Sequence, residues 1–176
     1  EGFIEIDTIR QEIRGYNPVH RIYQGRGEYA GFNGYFVVSY KNPLLGFGTF
    51  IGDSIIPGSI TQSNKEKIGA YIHFSTKKDE EILIKASSSF TDLEGALRNL
   101  DEEIPLWDFN YTREELTRIW ENQFSKIEVF SDSENEKYKF YGAFYRSSFL
   151  PRTMNDVDGK YPAFSKGQPI MKTDDD

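Results

Sequence analysis

Residues 81–100 read EILIKASSSFTDLEGALRNL, and the spacing of the apolar side chains changes inside that stretch. Up to Ser88 the residues alternate in part, as a strand does, and after Phe90 they do not. Leu93, Ala96, Leu97 and Leu100 follow the i, i+3, i+4, i+7 spacing of one helix face, Thr91 or Asp92 can cap that helix, and Pro105 ends it. A strand-forming half therefore meets a helical half near residue 90.

Upstream, the chain reads as β. Phe3, Ile4 and Ile6 make a short strand, Ile9–Arg14 another, and Val19–Gln24 a third, with Gly15-Tyr16-Asn17-Pro18 as a turn between them. Asn33–Lys41, NGYFVVSYK, is dense in β-branched and aromatic residues with no breaker inside it. The 46–58 region reads as turns, and Ile68–Phe74 and Glu81–Ser88 as further strands. Short strands joined by Gly, Pro and Asn turns predict an antiparallel sandwich.

Downstream, Thr112-Arg113-Glu114-Glu115 is a capping box that predicts a helix with Leu116, Ile119, Trp120, Phe124 and Ile127 on one face. Ser133 and the acidic Glu134 and Glu136 open a third helix carrying Tyr138, Tyr141, Phe144, Tyr145 and Phe149, which Pro151 stops. Residues 152–176 show no period and are expected to form a loop. The fold class is α+β.

Composition excludes several functions. A net charge of −7 with no clustered basic face argues against nucleic acid; the run from Lys65 to Lys78 is broken by Glu66 and Asp79. Without cysteine there are no disulfides, thiol catalysts or thiolate metal sites. No apolar run approaches the length of a membrane span. Since Gly2–Ile6 already reads as strand, the chain is expected to begin inside a fold.

Motifs for chemistry are few. His20 and His73 each lack a second ligand at metal spacing, no nucleophile elbow or P-loop occurs, and Gly25-Arg26-Gly27 precedes no helix, which suits a strand-end turn. The acidic stretch Asn155-Asp156-Val157-Asp158-Gly159 fails as an EF-hand. Met154 would fall at its first ligand position and Ser165 at its terminal glutamate. Two carboxylates in a turn can instead accept hydrogen bonds from sugar hydroxyls, or can simply build an Asx-type loop.

Three segments carry a more specific resemblance. Residues 15–25, with Gly31-Phe32 and Gly34–Val38, form the first. Ile84–Phe90, Ala96–Leu100 and Trp107-Asp108-Phe109 form the second, and Phe140–Ser147 with Asp156–Tyr161 the third. In this order they are similar to glycoside hydrolase family 92, from the end of its N-terminal β-sandwich into its (α/α)6 barrel. The resemblance implies part of a β-sandwich domain over 1–90, linking helices over 91–131, and the start of the barrel over 132–176. It implies a calcium-dependent, inverting exo-α-mannosidase that removes terminal α-linked mannose from glycans, with a periplasmic, cell-surface or secreted location. Inversion needs an acid and a base about 6.5–9.5 Å apart. The family places both, and most calcium ligands, after Asp176, so no catalytic or metal residue is assigned here and the chain alone is expected to be inactive. The expected partners are mannose-containing glycans and the rest of the barrel. Asp156, then Asp158, are the residues expected to hold the terminal mannose. The alternative is a non-catalytic carbohydrate-binding or structural β-sandwich module, which a line of exposed aromatics on one sheet face would favour.

Overall fold

The computed structural model describes residues 2–20, 29–150, 153–163 and 169–173. Eight strands come first: β1 (Phe3–Asp7), β2 (Glu12–His20), β3 (Tyr29–Tyr40), β4 (Leu44–Ile51), β5 (Ser54–Pro57), β6 (Thr61–Ser63), β7 (Ile68–Phe74) and β8 (Ile84–Ser89). Helices α1 (Leu93–Glu103), α2 (Phe109–Phe124) and α3 (Glu134–Ser147) follow, and a small hairpin, β9 (Lys160–Pro162) with β10 (Ile170–Lys172), comes last. The class is α+β, as the change of period at residue 90 requires.

The chain forms two compact units, Glu1–Trp107 with Met154–Asp176, and Asp108–Thr153. These cuts differ from the domain boundaries expected at 90 and 131. The first unit holds two antiparallel sheets, in the orders β6-β1-β2-β3-β8 and β5-β4-β7. Strand β3 organises it, because both of its faces are used. Tyr40, on one face, sets its ring edge-on to Phe74 of the second sheet at 5.9 Å. Val37, on the other, is buried with Ala96 and Leu100 of α1. Where the sheets meet near β6, buried Thr49 is satisfied by Ser59 at 2.9 Å and by the Gln62 amide at 3.0 Å, so no polar group is stranded there.

Helix α1 lies against β8 and β3, and polar side chains of β8 meet it. Ser87 donates its hydroxyl to the Ala96 carbonyl. The Lys85 ammonium donates to the Ile104 carbonyl at 2.7 Å, where the helix leaves its carbonyls unpaired, and lies 4.6 Å from the Trp107 ring centroid. The Asp92 carboxylate caps the other end, accepting from the Gly95 N–H.

Several local expectations are corrected. Gly15–Pro18 is not a turn but part of β2, pairing with Asn33–Phe36; Pro18 is tolerated because the ladder shifts register between Pro18 and His20. The 46–58 region is a hairpin of β4 and β5, turning at Gly52-Asp53. Helix α2 starts a turn before the capping box: Asp108 accepts from the Tyr111 N–H at 3.0 Å, and the Thr112 hydroxyl donates to the Asp108 carbonyl. The terminal stretch carries the β9–β10 hairpin instead of loop alone. Gly25-Arg26-Gly27 and Pro151 lie outside the described residues. A row of rings does cross the first sheet, Phe3 to Tyr16 at 5.8 Å and Tyr16 to Tyr35 at 5.6 Å. These rings are half-buried and turned toward one another, not laid open.

In the second unit, α2 and α3 meet along an aromatic seam. Trp120 approaches Tyr145 at 4.6 Å, and Phe124 approaches Phe144 at 5.8 Å and Tyr141 at 6.0 Å. No residue of either helix is buried. Phe109, Leu116, Ile119, Tyr138 and Leu150 are all exposed, an apolar surface of the kind that drives association. The 176-residue chain is therefore expected to self-associate with rising concentration in sedimentation velocity. The double change Leu116→Glu, Ile119→Glu should reduce that association and leave the melting temperature nearly unchanged; equal association in the variant would refute the assignment.

Glu12 of β2, opposite Ser39 of β3, is buried to 8% exposure. Burial pushes its carboxyl pKa up, against the opposing pull of Arg10 and Arg14. A raised folded-state pKa contributes stability below the unfolded value, lost as pH rises through the folded one. Glu12→Gln is thus expected to melt higher than the parent at neutral pH, with the difference closing below the ordinary glutamate range; melting curves across pH test it.

Candidate functional site

The Asp156–Lys160 turn closes through its own backbone. The Gly159 N–H donates to the Asp156 carbonyl, and the Asp156 N–H to the Lys160 carbonyl, both at 2.8 Å. Gly159 has φ of +80°, a left-handed conformation that side chains resist, so the glycine is what lets the chain reverse here. The two carboxylates on this turn have opposite surroundings.

Asp156 points inward and is 4% exposed. One carboxylate oxygen accepts from the Ser89 hydroxyl at 2.7 Å and from the Thr91 hydroxyl, and the other from the Asn99 amide at 2.9 Å. Asn99 completes a clasp by accepting from the Val157 N–H at 2.9 Å. Ser89, Thr91 and Asn99 are themselves buried, so the group is a closed polar knot between the end of β8, the first turns of α1 and the terminal segment. Gly95 makes room for it: a Cβ there would fall 2.5 Å from Asp156 Oδ2 and 2.8 Å from both hydroxyl oxygens. A sugar hydroxyl could reach Asp156 only by displacing one of these donors.

Asp158 is held by cations at a half-open position. Lys160 Nζ lies 2.9 Å and Arg98 Nη2 3.1 Å from its Oδ2, and the Lys160 N–H donates to Oδ1 at 3.2 Å. The Lys160 ammonium, then its backbone N–H and the Arg98 charge, keep the Asp158 carboxyl below the usual aspartate range. It is charged in neutral and mildly acidic solution. Arg98 reaches it by charge, with no N–H aligned along the contact, and also approaches Asp92 at 3.7 Å.

Ser89, Gly95, Arg98, Asn99 and Lys160 were not singled out from the sequence, and Thr91 was read only as a possible cap of α1. The available signal was Asn99, a polar residue in the stripe where α1 otherwise buries Ala96 and Leu100. His73 is exposed on β7 with its ring 5.1 Å from Tyr71. Among the described residues no three His, Asp or Glu side chains converge on a possible metal position. With Lys160 and Arg98 at Asp158 and hydroxyl and amide donors at Asp156, neither carboxylate suits calcium, and no ligand is assigned. No described helix is long and apolar enough to cross a membrane.

Comparison with known proteins places these features. Residues 95–174 match the model of the glycosyl hydrolase family 92 catalytic domain. No curated protein matches the chain. Among solved structures, an inverting GH92 mannosidase of Bacteroides thetaiotaomicron VPI-5482 superposes with a TM-score of 0.80 and 20% identity, over 97% of this chain and 23% of its own. A GH92 α-mannosidase of Bacteroides thetaiotaomicron gives 0.80 and 22% identity, over 98% of this chain and 22% of its own. The same enzyme in complex with mannoimidazole gives 0.78. The chain thus spans less than a quarter of the length of these enzymes. Residues 95–174 match the family 92 catalytic-domain model, and nearly the whole chain shares its fold with a segment of these family 92 structures.

Proposed function

We propose that this chain is a segment of an inverting exo-α-mannosidase acting on terminal α-linked mannose, with the Asp158 turn as its contribution to sugar binding. The family 92 match over 95–174 carries the reading, and the turn lies inside it. The mannosidase names and the mannoimidazole complex among the structural matches support the substrate class. Degradation of N-glycans outside the cytoplasm, with calcium in the complete enzyme, is part of the same proposal.

The two aspartates divide the work. Asp156 fixes the turn and Asp158 meets the sugar. A carboxylate already ionised, partly open and set between two cations accepts hydrogen bonds from vicinal hydroxyls, while Lys160 donates to a hydroxyl oxygen beside it. Such contacts orient the ring so that an acid and a water-activating base, about 6.5–9.5 Å apart, can act on opposite sides of the anomeric carbon. Neither catalytic carboxylate is assigned among the residues of this chain.

Activity measured on an α-mannoside, beside a melting curve for each variant of the complete enzyme, tests this division. Asp158→Ala is expected to lower kcat/KM about ten- to a hundredfold with little change in melting temperature. Asp156→Ala removes the shared acceptor of three buried donors and is expected to cost about 3 kcal/mol or more of stability, with activity falling as the enzyme unfolds. If Asp156→Ala melts normally yet is inactive, Asp156 is the sugar ligand and the division is wrong. The 176-residue chain by itself is expected to release no mannose, with or without calcium; measurable release would contradict the proposal.

A further inference from the structure

Arg98 of α1 stands between two aspartates that come from opposite ends of the first unit's sequence. Its Nη2 is 3.1 Å from Asp158 Oδ2 and 3.7 Å from Asp92 Oδ1. Both distances run to one nitrogen, so the two carboxylate oxygens lie within about 7 Å of each other, inside the roughly 8 Å over which salt screens exposed charges. Neither acid is free to turn away. Asp92 caps α1 through the Gly95 N–H, and Asp158 accepts from the Lys160 N–H at 3.2 Å. Two anchored acids therefore share one guanidinium.

The charges that face Asp158 come from three elements. β9 supplies Lys160, with Nζ 2.9 Å away, β10 runs the Lys172 stem past Gly159, and α1 supplies Arg98 together with the one repulsive group, Asp92. A lysine is a point charge on a flexible stem, whereas a guanidinium is planar and rigid. Here Arg98 Nε and Nη2 are both enclosed and neither makes a hydrogen bond. That edge of the group is out of reach of a ligand and works by where its charge is held. We propose that Arg98 is a positioning residue for sugar binding: it stands between Asp158 and Asp92 and keeps the Asp158 carboxylate in place to meet the terminal mannose. This rests on the reading of Asp158 as the sugar ligand and adds a residue that acts through it. The low Asp158 pKa, held down by Lys160 first and by Arg98 after it, agrees with such a role.

Carboxyl carbon-13 NMR of the 176-residue chain, titrated with acid, follows Asp158 directly. Its midpoint is expected at higher pH in Arg98→Met than in the parent, because loss of the cation leaves Asp158 facing Asp92. Arg98→Lys keeps the charge; its midpoint should fall between the two, and it serves in place of Arg98→Met should that variant melt low. An unmoved midpoint overturns the proposal whatever the enzyme does. In the complete enzyme, Arg98→Met is expected to lower kcat/KM on an α-mannoside about three- to tenfold at neutral pH, chiefly through KM. The loss should grow as pH falls, which moves the acid limb of the profile upward. On an Asp158→Asn background the same change should cost little more, since the acid it serves is gone. A full additional loss there overturns the proposal. Full parental activity in Asp158→Asn alone would overturn the sugar reading itself, which an unmoved titration would not.

Discussion

The Asp156 carboxylate holds the terminal segment to the rest of its unit, and the features around it are consistent with that load. Its acceptors take two hydroxyls and an amide from residues 65, 67 and 57 positions away in sequence. A buried carboxylate without such donors is costly, and donors buried without their acceptor are stranded in turn. The constraint reaches backward into α1, whose first turn must carry Gly95 at the point of closest approach and whose second carries Asn99 in a stripe otherwise apolar. It reaches into β8 as well, where Ser89 serves the knot while Ser87 and Lys85 serve the helix.

The same knot gives the two aspartates of the turn opposite surroundings. Because Asp156 is committed inward, the turn presents Asp158 as its half-open acid, and the Lys160 and Arg98 charges keep that acid ionised. Two aspartates two residues apart thus occupy different chemical worlds, one closed by neutral donors and one by cations. Sequence spacing alone gives no hint of which is which, since alternation across a turn as tight as the one at Gly159 does not follow strand or helix periodicity.

Much of the architecture was legible in the residues. The change of period at Phe90, the Asp92 cap and the strand character of Asn33–Lys41 all appear in the fold, because each rests on local stereochemistry. The misses have tertiary causes. Pro18 and Gly15 spell a turn but lie in β2, where pairing with β3 outweighs local preference. The glycines of β4 read as breakers although the β5 and β7 ladders hold them extended. The different surroundings of Asp156 and Asp158 were not legible, because the buried donors to Asp156 arrive from β8 and α1 and leave no mark beside it in the chain. Asn99 was the readable clue, a polar side chain on a helix face that had every reason to be apolar.

The distance of the knot in sequence also bears on how the knot closes. Ser89 and Asp156 are 67 residues apart, and joining the ends of an unstructured loop that long would cost about 4 kcal/mol of chain entropy, a cost that α1, α2 and α3 change by ordering most of the stretch. Hydrogen bonds to a charged group return roughly 1.5–3 kcal/mol each, so a single one of them cannot close the loop, whereas three together can. The knot is therefore expected to close cooperatively, with β8 and α1 holding Ser89, Thr91 and Asn99 in one place.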